Sequence, residues 1–167
     1  MNQGQSQTPV KRWYIAKWPP LAWLETGIKL TALAFGVMAL VYALSAAEFA
    51  LPGGARLAQL VLMTLLSLGL LAAIFDRIAE REVVAMGFVI LNNLGHWGMV
   101  VALASVQGPG SRLVPFAALM LLGDVVKLVF LKVHDFQVRD TPRSVLYGLT
   151  MLYVAGYALL LILEFLR

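Results

Sequence analysis

VVAMGFVILNNLGHWGMVVALASV, residues 83–106, decides how this chain is read. The stretch is 24 residues (106 − 83 + 1) of almost unbroken apolar side chains. About 20 such residues suffice for a helix to cross a bilayer. Yet Asn92, Asn93 and His96 stand in its middle. Polar groups at that depth are costly unless partners answer them, so they dictate which face of the helix turns inward. The remaining apolar segments are then the helices that surround and satisfy that face.

Composition points the same way. The chain has 167 residues, of which 60% are hydrophobic and 13% charged, with a mean hydropathy of +0.82. Soluble domains sit near 45–50% apolar and about 25% charged. Four further apolar runs, at about 26–49, 57–75, 113–133 and 144–166, accompany the one at 83–106. The expected architecture is an all-α integral membrane protein: a single five-helix transmembrane domain over 26–166, preceded by residues 1–25 as a cytoplasmic tail and interfacial segment. With no cysteine in the chain, disulfides, iron–sulfur clusters, thiol catalysis and Cys-ligated zinc are excluded.

The leading segment mixes Lys11, Arg12 and Lys17 with Trp13, Tyr14, Trp18 and Trp23. Rings with one apolar and one wet side, interleaved with cations, suit the headgroup layer. These seven residues are therefore the expected interfacial anchors, ahead of Pro19-Pro20 turning the chain into the bilayer. A docking arm for a partner is the alternative. The first apolar run also imitates a secretory signal ending at Ser45-Ala46-Ala47, but the region before it is too long, and it is read as a retained helix. Glu25 and Lys29 at its start stand at i, i+4, the favourable order for a helical ion pair. Asp76, Arg77, Glu80, Arg81 and Glu82 read as a solvated hairpin tip.

Basic residues orient the chain. Lys11, Arg12, Lys17, Arg77, Arg81, Lys132, Arg139 and Arg143 fall on one side; Arg56, Arg112 and Arg167 fall on the other. By the positive-inside bias the N-terminus is cytoplasmic and the C-terminus outside. The net charge of +4 is explained by these flanks, so a nucleic-acid partner is not implied. The lipid bilayer is the expected partner, together with other membrane subunits or a second copy of the chain.

At 1.5 Å per residue, Asn92 and Asp124 both lie roughly 13 Å from the inner edge and His96 about 20 Å from it. The third and fourth spans are joined by the Gly108-Pro109-Gly110 turn and are expected to be antiparallel neighbours. On that basis Asn92 or Asn93 meets Asp124 near mid-membrane, with Lys127 a turn below and His96 a turn above. Asn92 and His96 share a face, and Asn93 points to another helix. Asp124 is paired by Lys127 or by the asparagines. The candidate cluster is thus Asn92, Asn93, His96, Asp124 and Lys127. Its members either glue helices together or line a path for protons or a polar solute. Gly95, Gly98 and Ala102, and on the fifth span Gly148, Ala155 and Gly156, suggest close helix approach.

No motif for any cofactor is present. His96 and His134 lie too far apart in depth to hold one haem between them, leaving a single-His haem or pigment site at His96 as the remaining option. The hydrolase signatures G-x-S-x-G and H-E-x-x-H are absent, as is any phosphate-binding glycine loop. In outline the chain is similar to the translocator-protein family: five helices in this length, Trp13-Tyr14 then Pro19-Pro20 ahead of the first, and Leu91-Asn92 followed by Trp97. The spacings depart from that pattern, so no residue role is carried over. Three functions follow, in order of preference. The first is a non-catalytic accessory or assembly subunit of a larger membrane complex. The second is a small oligomeric transporter or channel, and the third a membrane-embedded enzyme or binder of a lipid-like molecule.

Overall fold

A computed structural model describes residues 19–45, 49, 53–79, 83–105, 112–134 and 142–167. Five helices make up these residues: α1 (Pro20–Ser45), α2 (Gly54–Ala79), α3 (Val83–Ala104), α4 (Leu113–Val133) and α5 (Arg143–Phe165). Among the described residues there is no strand, only an isolated bridge between Phe49 and Ser105. Four of the helices are long and apolar enough to cross a membrane, over Pro20–Ser45, Gly54–Ala72, Leu113–Val133 and Arg143–Phe165. In α3 the described apolar part is the shorter Val89–Ala104. The interfacial anchors Lys11, Arg12, Trp13, Tyr14, Lys17 and Trp18 lie outside the described residues, as does most of the 76–82 charge cluster.

Helix α1 starts at Pro20, six residues before the expected 26. Proline suits that first position, because its missing N–H would be unsatisfied there and its φ is already helical. Trp23 is consequently not part of a segment ahead of the helix: it sits on the first turn of α1, half of it exposed.

The helices pack as a closed ring. Helix α1 lies beside α3 and α4, α2 beside α3 and α5, and α4 beside α5. Pairing at the ends sets direction: Ala22 clusters with Phe130, Leu131 and Leu146, while Ala39 and Ala43 cluster with Ala102. So α1, α3 and α5 run one way and α2 and α4 the other. The two ends are called below the Pro20 end and the Ser45 end.

The expectation that α3 and α4 are direct neighbours is overturned: α1 sits between them. The reason lies in α1 itself, whose buried residues are all small: Ala22, Ala32, Gly36, Ala39 and Ala43. A helix with so thin an inner face fits into the groove between two others. The connection permits it, since the seven steps from Ser105 to Arg112 (112 − 105) can reach about 24 Å when extended. Most large side chains of α1 point outward, Leu24, Leu30, Val37, Met38, Val41 and Leu44 among them.

The crossing of α1 on α3 is backbone against backbone. A methyl built on Gly98 would come within 2.8 Å of the Gly36 carbonyl oxygen, and one on Gly36 within 3.1 Å of Gly95 Cα. The glycines anticipated on α3 thus do mark a close approach, with α1 as the partner. On α5 only Gly156 does so, against Leu66 of α2; Gly148 faces open space and Ala155 is exposed.

Candidate functional site

The Pro20-end half of the interior is polar, and Lys29 is its pivot. Lys29 Nζ donates to Glu25 Oε1 at 2.8 Å on its own helix and lies 2.7 Å from Asp124 Oδ1 on α4. The side chains of Lys29 and Asp124 are only 12% and 6% exposed. Buried charges survive when paired and hydrogen-bonded, and here one ammonium serves two carboxylates. Gly123 makes room for it: a methyl there would meet Lys29 Cγ at 3.0 Å. The i, i+4 pair of Glu25 with Lys29 stands as expected. The proposed meeting of Asp124 with Asn92 or Asn93 does not, because α1 intervenes and supplies the lysine.

Above this triad lies His96, whose relative exposure is 0%. Its Nε2 is hydrogen-bonded to the Tyr157 hydroxyl of α5. The Tyr153 and Tyr157 rings meet the imidazole edge-on, with centroids 5.7 and 5.6 Å away. Tyr153 in turn donates to the Leu66 carbonyl of α2 at 2.9 Å. Among the described residues the second imidazole nitrogen, Nδ1, has no hydrogen-bond partner.

Asn93 is buried and its Nδ2 donates to the Ser67 carbonyl of α2 at 3.5 Å. Asn92 is only half-buried, so the inward face of α3 carries Asn93 and His96 at i, i+3, rather than Asn92 and His96 at i, i+4. Lys127 is half-buried and holds interactions of its own. The candidate cluster therefore does not converge on one point. Asp124 goes to α1, His96 to α5 and Asn93 to α2.

Beyond His96 and Tyr157 the interior turns apolar. Met63, Met99, Leu103, Leu113 and Leu160 are buried together there. Polar groups reappear at the Ser45 end, where Gln59 Nε2 donates to Glu164 Oε2 at 2.9 Å and Arg56 donates to the Ser105 carbonyl. The last carbonyls of a helix have no intrahelical partner, and an arginine from a helix packed alongside supplies one. Arg143 does the same for Leu131 at the opposite end.

Among the described residues no three of His, Cys, Asp and Glu gather as a metal site. His134 caps α4 at the Pro20 end, while His96 sits thirteen residues (96 − 83) into α3, about 20 Å along the bundle. The two cannot share a haem.

Sequence reasoning missed Lys29, Tyr153 and Tyr157 as parts of this interior. For Lys29 the signal was the start of α1. Counted from 26 it lies at the membrane edge, but counted from Pro20 it is nine residues in (29 − 20), about 14 Å deep. The tyrosines recur at i, i+4 on α5, a shared face that His96 could have been matched to. No family model, no curated protein and no solved structure matches the chain.

Proposed function

We propose that this is an integral membrane protein, N-terminus cytoplasmic and C-terminus outside, that works as a non-catalytic accessory or assembly subunit of a larger membrane complex. The observation carrying this reading is how the polar interior is distributed: Lys29–Asp124, His96–Tyr157 and Asn93–Ser67 each join a different pair of helices. Groups arranged as joints fix packing and register, whereas groups of an active centre converge on a reacting atom. The apolar block around Met63, Met99 and Leu160 supports the same view, since it separates the polar residues of the two ends. Membrane insertion is supported by an inverted surface: large apolar side chains are exposed on all five helices, while Asp124, His96 and Asn93 are buried.

Native mass spectrometry of the protein extracted from its own membrane in mild detergent tests the proposal. A particle whose mass is dominated by other subunits is expected. A clean monomer or homo-oligomer defeats it and shifts the reading to the transporter. For the orientation, single cysteines placed at either end of this cysteine-free chain report sidedness with an impermeant thiol reagent. Labelling of the Arg167 end from the cytoplasmic face alone would reverse the topology.

A further inference from the structure

Bonding at His96 is one-sided. Its Nε2 is tied to the Tyr157 hydroxyl, while among the described residues its Nδ1 has no hydrogen-bond partner, although the imidazole is 0% exposed. With the ring proton on Nε2 and donated to the Tyr157 oxygen, Nδ1 keeps a lone pair that no donor answers.

Two thioethers stand near the same level. The Asn93 side chain reaches the Ser67 carbonyl, which sets residue 67 beside residue 93 on the antiparallel pair α2 and α3. Four residues on from each, Met63 comes beside 97 (67 − 4 and 93 + 4), about 1.5 Å along the bundle from His96. Helix α5 gives the same level. A methyl on Gly156, next to Tyr157, would meet Leu66 and Leu62 at 2.8 and 3.7 Å, and these lie on either side of Met63 in the chain. Met99 follows His96 by three residues on α3, hence on the same face. Long helical side chains lean toward the N-terminus of their helix, which carries the Met99 sulfur back toward His96. Met63 and Met99 are both 0% exposed and share one core cluster with Tyr157.

We infer that His96 Nδ1, Met63 Sδ and Met99 Sδ form a three-coordinate site for a soft monovalent metal ion, of which copper(I) is the type. Thioethers are soft ligands that select copper(I), and imidazole suits copper as well. A ligating imidazole donates its other N–H to a neighbour that fixes its orientation, and Tyr157 fills that place. All three donors are neutral, so a single charge enters the interior, where a divalent ion would bring two. With every ligand 0% exposed, the ion is a resident of the fold and exchanges slowly. The site stands apart from the assembly role, since one chain supplies all of it.

Copper(I) added anaerobically to the purified full chain in mild detergent, in competition with bicinchoninate, tests the site, and X-ray absorption reads what surrounds the bound metal. One ion per chain, with one nitrogen and two sulfurs around it, is expected. Met63→Leu and Met99→Leu conserve volume, so each should stay folded while removing one sulfur from around the metal. Each should also weaken binding by more than the roughly tenfold that losing a group hydrogen-bonded to a ligand costs. Changing the exposed Met38 and Met151 together to Leu should alter neither the affinity nor the surroundings of the metal. The site is overturned if copper(I) does not bind stoichiometrically, or if either core Met→Leu variant binds it as the parent does. Loss of binding in the Met38 and Met151 variant overturns it equally, because the metal would then sit on the outer surface.

Discussion

The two flanks of α1 hold by different means. Against α3 it presents glycine and alanine to glycine and alanine, with Gly36 and Gly98 in backbone contact and Ala39 and Ala43 on Ala102. Against α4 it also packs closely, with Gly36 under the Phe116 ring and Ala22 on Phe130 and Leu131, and it adds a charge, the Lys29 ammonium reaching Asp124 across Gly123. Where the surroundings are as apolar as leucine, burying leucine gains little, so helices are held by closeness of approach and by polar complementarity. The α3 flank uses the first means, and the α4 flank uses both. A steric joint is fixed by shape and tolerates no insertion. An electrostatic joint can be rearranged, provided each partner finds another.

The comparison can be broken most severely at Lys29. Lys29→Met removes the one cation that serves both Glu25 and Asp124, and losing one member of a buried pair costs roughly 3–5 kcal/mol. Thermal unfolding in a single detergent should place this variant lowest of the set, and a loss below about 1 kcal/mol would mean the bridge is not the joint described here. Next comes Gly98→Ala, whose methyl has the Gly36 carbonyl in its way; overpacking of this kind costs about 1–3 kcal/mol. If it is neutral, the α1–α3 seam is looser than its glycines suggest.

Tyr157→Phe sharpens the contrast from the interior, where it deprives His96 Nε2 of the Tyr157 hydroxyl. About 1–2 kcal/mol of destabilisation is expected by the same measurement, with His96→Phe recovering part of the loss when the two are combined. The smallest effect belongs to Asn93→Leu, whose long bond to the Ser67 carbonyl should be worth about 0.6 kcal/mol. A loss several times larger would make α3–α2 a polar joint on the scale of α1–α4.

Much of the fold could be read from residue pattern alone. The apolar runs locate five helices, and α4 falls on the expected 113–133. The Glu25–Lys29 pair follows from i, i+4 spacing, and the glycines of α3 announce a close crossing. What the pattern does not carry is which helix comes next to which. A short connection argues for neighbours, yet α1 is thin enough to enter between α3 and α4. That thinness is visible only when Ala32, Gly36, Ala39 and Ala43 are lined up on one helical face.

The partner of Asp124 was hidden by a boundary. A helix counted from residue 26 places Lys29 at its edge, and so outside the cluster; one counted from Pro20 places it nine residues in (29 − 20). The i, i+4 spacing points to Asn92 as the neighbour of His96 on its face, where the structure has Asn93. Spacing of four and spacing of three both place a residue near His96, and only the neighbours decide which of the two turns inward.

The Arg143 side chain, bound to the carbonyl of Leu131, joins the end of α4 to the start of α5 by a route that bypasses the intervening chain. Phe130, Leu131, Leu146 and Tyr147 cluster beside it, so the two helices are fastened to each other at this point. The covalent connection between 135 and 141 is thereby relieved of the task of keeping them together. A protease nick there should leave two fragments that stay assembled, and an inserted reporter should leave the helices packed as before. The same place is where new termini could be opened in a rewired version of the protein.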